Sequence, residues 1–412
     1  MNTISKLYLF FFPKRSPQKA GRVTFGAGPL RCALGLVFAA FAGGSCICTA
    51  APDGRQTVSL DGWWQIDESV SAEEQPSQFR HRVPVPGLVH LAKPAFPDVD
   101  DFQSQELIAN RIRRGELPET ARVQTPGITR QSRNYFWYRK DFEAGVPRAA
   151  AILKINKAQF GTAVWLNGQR LGEYSGCFSA SYFNLTGAIH WHARNELLIR
   201  VGAHPAVLPV SYPAGTDFEK LKWTPGIYDS VSVYFCDNPV IESIQVAPRL
   251  DTCEVVVQTR MRNYGARRAV VLDQRVKPFR ASGSAIKVEP LKLELEAGEE
   301  KVVRQRIAIP NPRLWSPEDP FLYLLETSTG GDNVTTRFGM REFHSDSRSQ
   351  RFYLNGKPYY LRGSNITLHR FFEDPDCGDL PWNEAWVRKL LIQIPKRMHW
   401  NAFRFCIGPV PD

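Results

Sequence analysis

No Cys-x-x-Cys pair occurs in this 412-residue sequence, and no histidine stands at zinc spacing from a cysteine. Of the eight cysteines, Cys32, Cys46 and Cys48 fall within the first fifty residues, and Cys177, Cys236, Cys253, Cys377 and Cys406 are scattered over the rest. An odd, dispersed set excludes a disulfide framework and predicts buried free thiols. No metal site is legible and no cofactor is called for. Acidic residues are absent from the first fifty positions, where Lys6, Lys14, Arg15, Lys19, Arg22 and Arg31 supply more than half of the net charge of +11. Beyond them the signs are interspersed, with no basic run, which argues against a nucleic-acid partner. Long apolar runs are also missing. The stretch from Ala33 to Ala42 is too short to span a bilayer, so no membrane span is expected.

What that basic, then apolar, then small-residue beginning does predict is a secretory signal over residues 1–50, ending near Ala50. The chain is therefore expected to be secreted or periplasmic, with lipoprotein anchoring through Cys46 as an alternative. A hydrophobic fraction of 43% and ten tryptophans point to folded modules. The length suits two or three of them.

Residues 51–237 read as short strands broken by turns. In Ser230-Val-Ser-Val-Tyr-Phe235, Val231, Val233 and Phe235 share one face. Asn167-Gly168 between apolar flanks is a hairpin signal, since both turn positions tolerate positive φ. Prolines 84, 86, 205, 209 and 213 keep helices short. A jelly-roll β-sandwich fits. Residues 238–342 form a second β-module, with Val255, Val257 and Thr259 on one face and Leu291, Leu293 and Leu295 on another. Its size matches an immunoglobulin-like β-sandwich. Residues 343–412 change period. Tyr353 to Leu361 is a hairpin turning at Asn355-Gly356. From the N-cap Asn383, Trp386, Leu390 and Ile394 make one helical stripe that Pro395 should kink or end, and Asn401 to Phe405 reads as a strand. Strand, loop, helix, strand is the truncated start of a (β/α)8 TIM barrel, which needs eight such units. The fold class is mainly β.

Several motifs in chain order carry a resemblance. Phe136-Trp-Tyr-Arg-Lys-Asp-Phe142, Val164-Trp-Leu-Asn-Gly168 and the stretch from Leu171 to Val201 are similar to the sugar-binding domain of family 2 glycoside hydrolases. Trp223-Thr-Pro-Gly-Ile-Tyr228 resembles that domain's exit. Leu314 to Tyr323 and Phe338-Gly-Met-Arg-Glu-Phe343 resemble the end of the family's immunoglobulin-like domain, and Phe352 to Asn365 the opening of its barrel. The family includes β-galactosidases, β-glucuronidases and β-mannosidases, retaining exo-acting enzymes of carbohydrate metabolism. Their two catalytic glutamates stand on later barrel strands, which the resemblance places after residue 412. It therefore implies an incomplete, inactive glycosidase. A non-catalytic carbohydrate-binding or assembly module is the alternative.

By the same resemblance Asn365 and His369 line the sugar pocket, although Asn365-Ile-Thr-Leu-His369 departs from the commoner Asn-Arg-His wording. Arg404 matches an arginine beside the nucleophile, where a fixed guanidinium keeps a carboxylate ionised and oriented. No catalytic residue is assigned. Glu373, Asp374, Asp376 and Asp379 read as a solvated loop, and their spacing fails the calcium-loop pattern. Trp137, Trp165 and Trp223 read as core at strand spacing. The implied partner is a carbohydrate substrate, with homo-oligomerisation left open.

Overall fold

The computed structural model describes residues 54–97, 99, 109, 111–120, 133–209, 211–213, 224–368, 377–405 and 410–411. The expected signal over residues 1–50 lies outside them, as do Trp223, His369, Glu373, Asp374, Asp376 and Cys406. The chain is mainly β. No helix among the described residues is long and apolar enough to cross a membrane.

Two antiparallel sheets face each other in the first module. One runs His81–Val85, Gly62–Ser69, Tyr135–Ala144, Ala193–Gly202, Thr162–Leu166, Gln169–Tyr174. The other runs Gln56–Ser59, Val231–Cys236, Ala150–Ile155, Ser181–Asn184. Alternation supplies the core between them: Trp64, Ile66, Phe136, Tyr138, Leu197 and Ile199 from the first meet Leu153, Ile155, Val231, Val233 and Phe235 from the second. Each such side chain contributes roughly 1.5–3 kcal/mol by leaving water. The opposite face of Val231–Cys236 is buried as well. Tyr234 and Cys236 pack with Ala150, Ile152 and Val240 against Tyr264 of the next module. The Asn167-Gly168 turn has φ of 50° and 82°, as a two-residue hairpin of this twist requires. The Asn167 amide also donates to the Ala188 carbonyl and the Asn195 Oδ1, both at 2.8 Å.

Trp137 is buried, but between Phe136 and Tyr138 it faces away from the sandwich interior. Its Nε1 donates to the Ser69 hydroxyl at 2.9 Å, its ring lies 4.9 Å from that of half-buried Trp165, and the Arg200 guanidinium covers both. Nearby on the same sheet, burial pushes the Asp67 carboxyl up, but hydrogen bonds from the side chain and backbone of Arg80 outweigh it and hold the group below the ordinary 3.8. A depressed carboxyl stabilises the fold above its unfolded value and ceases to do so as pH falls through the folded one. Asp67→Asn is expected to lower the melting midpoint by about 3–8 °C at neutral pH. The two melting curves should converge toward pH 2; a gap that persists there would refute this ionic role.

The second module is also two-layered. Val240–Arg249, Glu254–Arg262 and Glu300–Ala308 form one sheet. Arg268–Pro278 pairs with Ile286–Lys287, Leu291–Leu295 and Tyr323–Ser328, and the last pairs with Asn333–Phe338. Val255, Val257 and Thr259 are buried as their alternation predicts. The leucine row fares less evenly: Leu295 is buried and Leu293 half-buried, but Leu291 is exposed at the strand's start. Among the described cysteines none forms a disulfide. Cys177 and Cys236 are buried, Cys377 is half-buried, and Cys253 is exposed, at a left-handed turn. Burial pushes the Cys236 thiol up to about 12.

The third segment opens with Phe343–Asp346, Arg351–Leu354 and Lys357–Tyr359, an antiparallel meander turning at Asn355 and Gly356 with φ of 51° and 75°. Asn355 donates its amide to the Trp315 carbonyl at 2.9 Å, pinning this turn to the second module. Asn383 caps the helix by accepting from the Trp386 amide at 3.0 Å. The helix runs through Pro395, which was expected to kink or end it, as far as Arg397. Glu384–Arg388 is α, Lys389–Gln393 widens to π, and Ile394–Arg397 returns to α. Proline lacks the donor for the ordinary bond and its ring crowds the preceding turn, so the wider turn absorbs it. Trp386, Leu390 and Ile394 do share a face, left half-buried.

Candidate functional site

Gly363–Ile366 and Ala402–Phe405 are parallel neighbours, and the helix from Glu384 to Arg397 lies between them in sequence. A parallel pair cannot be joined by a tight turn, which is why this helix intervenes. Gly363 is what allows the strands to approach: a Cβ there would fall 1.7 Å from the Ala402 carbonyl oxygen. Asn401 locks the start of the pair. Its Oδ1 accepts from the Arg362 amide at 2.8 Å, its Nδ2 donates to the Tyr360 carbonyl at 3.0 Å, and its own amide donates to the Arg362 carbonyl at 2.8 Å. Ala402 and Phe403 are buried beneath.

This register sets Asn365 opposite Arg404, each next to last in its strand. Both are exposed, and Arg404 Nη1 donates to Asn365 Oδ1 at 3.5 Å, a long contact that, among the described residues, leaves most of the guanidinium fork and the Asn365 Nδ2 available. The two strands run the same way, so both residues stand at the carboxyl edge of the pair, the edge at which parallel α/β folds gather their ligand-binding groups. Such a fork suits a carboxylate and such an amide suits a hydroxyl. His369, which sequence reading groups with them, lies outside the described residues. Asp379 is exposed at the start of the 3-10 turn Leu380–Trp382 and caps it with no side-chain bond.

The loop before the helix is held by the first module. Trp382 Nε1 donates to the Tyr228 carbonyl at 3.0 Å, its ring packs on Leu88 and Tyr228, and His90 Nε2 meets the Gly378 carbonyl at 3.2 Å. Lys157 pairs with Asp229 at 3.1 Å and donates to the Val410 carbonyl at 3.1 Å. Gly226, at φ 148°, makes the approach of these segments possible, since a Cβ would fall 2.8 Å from Leu88 Cα. The residues that sequence reading marked as a module exit thus also carry the candidate site's mounting. Leu88, Lys157 and Trp382 gave no periodic signal for that role, because their partners are far away in sequence.

Residues 240–341 match the family model of the glycosyl hydrolases family 2. A β-galactosidase of Bacteroides ovatus is 27% identical over 286 residues, covering 66% of this chain and 31% of that protein. A β-glucuronidase of Bacteroides fragilis is 27% identical over 217 residues, covering 48% of this chain and 30% of that one. The chain thus spans under a third of the length of these curated relatives. In fold it is similar to the crystal structure of a Bacteroides uniformis β-glucuronidase, with a TM-score of 0.59 and 20% identity over 87% of this chain and 40% of that one. Matching motifs and curated relatives agree with the family model over residues 240–341, and the fold is compatible: the chain is similar to the glycosyl hydrolases family 2.

Proposed function

We propose that this chain supplies the β-rich amino-terminal part of a secreted, retaining exo-β-glycosidase that hydrolyses O-glycosyl bonds in a carbohydrate substrate. Residues 1–50 are its signal, 51–237 its jelly-roll module, 238–342 its immunoglobulin-like module, and 343–412 the opening of its TIM barrel. The observation that carries this reading is the parallel register that sets Asn365 beside Arg404 at the strands' carboxyl edge. In this reading Asn365 and His369 hold sugar hydroxyls, and Arg404 orients the nucleophilic carboxylate.

Retaining hydrolysis needs two carboxyl groups ~5–5.5 Å apart, one to protonate the leaving oxygen and one to capture the sugar cation. Neither role falls to a residue of this chain, so the 412 residues by themselves are expected to turn over nothing. Purified protein assayed against a panel of nitrophenyl β-glycosides should give background rates only, and robust turnover would overturn the proposal. Sequencing the gene past codon 412 is the complementary test: further βα units bearing two glutamates are expected there.

A further inference from the structure

We propose that the outer face of the six-stranded sheet in the first module carries a binding site for an acidic saccharide, a chain bearing uronic-acid carboxylates. Trp63 and Trp64 are consecutive in the strand Gly62–Ser69 and point to opposite sides. Trp64 is 1% exposed in the core, whereas Trp63 is 44% exposed on the outer surface. One exposed indole needs no explanation by itself. This one borders a groove of about 560 Å³, within the size range of ligand clefts.

The groove's charges are unevenly matched. Arg194 pairs with Asp141, and Arg139 reaches Glu196 at 3.9 Å. Those two pairs account for the carboxylates lining it. Arg82 and Lys93 stand 5.7 and 5.9 Å from the Trp63 ring centroid, and among the described residues neither has a carboxylate within ion-pair distance. Both are exposed, so their contact with the ring is weak and easily exchanged. Lys140 spends its ammonium on the Trp63 carbonyl, at 3.0 Å, which holds the strand under the indole.

An indole face suits the C–H face of a pyranose, and two unmatched cations at its rim suit a carboxylate on that ring. Asp141 and Glu196 favour a sugar over a polynucleotide. They can accept hydroxyl hydrogen bonds, but would repel closely spaced phosphates. The site is independent of the glycosidase reading, since it lies on the first module and uses none of residues 343–412.

Calorimetric titration of the full chain with a galacturonate hexamer tests it. Saturable binding is expected, weakened about tenfold or more by Trp63→Ala and likewise by the double change Arg82→Ala/Lys93→Ala, with a neutral hexamer of glucose binding at least as weakly as those variants. All three side chains are on the surface, so circular dichroism melting should be unchanged; the double variant decides if Trp63→Ala alone is unstable. No saturable heat, equal affinity for the neutral chain, equal affinity for a thymidylate hexamer, or indifference to the double change would each overturn the proposal.

Discussion

Replacing Asp332 with alanine is expected to remove about 3–5 kcal/mol of stability, the cost of leaving a buried partner charge unmatched. The Asp332 side chain is fully buried, and its carboxylate accepts from Arg55 Nε at 3.0 Å, from Arg55 Nη2 at 2.6 Å and from the Ile241 amide at 2.7 Å. Arg55 in turn donates to the Ile241 carbonyl at 2.6 Å and lies 4.0 Å from the Tyr234 ring centroid. One arginine from the start of the first module thus ties the first strand of the second to the turn before Asn333–Phe338. Domain stability is typically about 5–15 kcal/mol, so this loss would be a large share of it. Asp332→Asn should cost less, because its Oδ1 can still accept from the Ile241 amide. Chemical denaturation of Arg55→Ala, Asp332→Ala and the double variant measures the coupling, expected to be about 2–3 kcal/mol. Additive single losses would mean that the contact is not a functioning pair.

That pair shows where reading the sequence stops. Arg55 and Asp332 are 277 positions apart, and nothing in hydrophobic periodicity links them. Signals that depend on neighbours in the chain were legible. Asn167-Gly168 and Asn355-Gly356 form their turns because positive φ is a local demand, and Asn383 caps its helix because the cap lies three residues from its donor. Alternation placed Val231, Val233 and Phe235 inward, but could not say that Tyr234 and Cys236 would be buried too, against a second module. It likewise could not say that Trp137 would be buried under an arginine and not in the core. Pro395 was visible, yet its consequence depended on whether the helix could widen upstream. For the candidate site the limit is sharper. Asn365 and Arg404 came from family resemblance, and the parallel register that brings them together is a long-range property no local pattern encodes.

Gly363→Ala is expected to pull that register apart. The added methyl would meet the Ala402 carbonyl oxygen, an atom of the paired backbone, so relief requires the two strands to separate. Overpacking of this kind typically costs about 1–3 kcal/mol, and here the cost falls on two short strands of four residues each. Hydrogen exchange at the amides of Asn401 and Ala402, which both donate to the Arg362 carbonyl, should then quicken by about 10–100-fold, while the sandwich cores keep their protection. Gly356→Ala is the matched control. Gly356 has a φ of 75° with nothing within 4 Å of the new Cβ. That change strains the hairpin by about 1–2 kcal/mol but puts no atom between paired strands. Its effect should stay at the turn. If Gly363→Ala left Asn401 and Ala402 protected, the close approach of the strands would not depend on the missing side chain, and the seat proposed for Asn365 and Arg404 would have to be set by the Asn401 clamp alone.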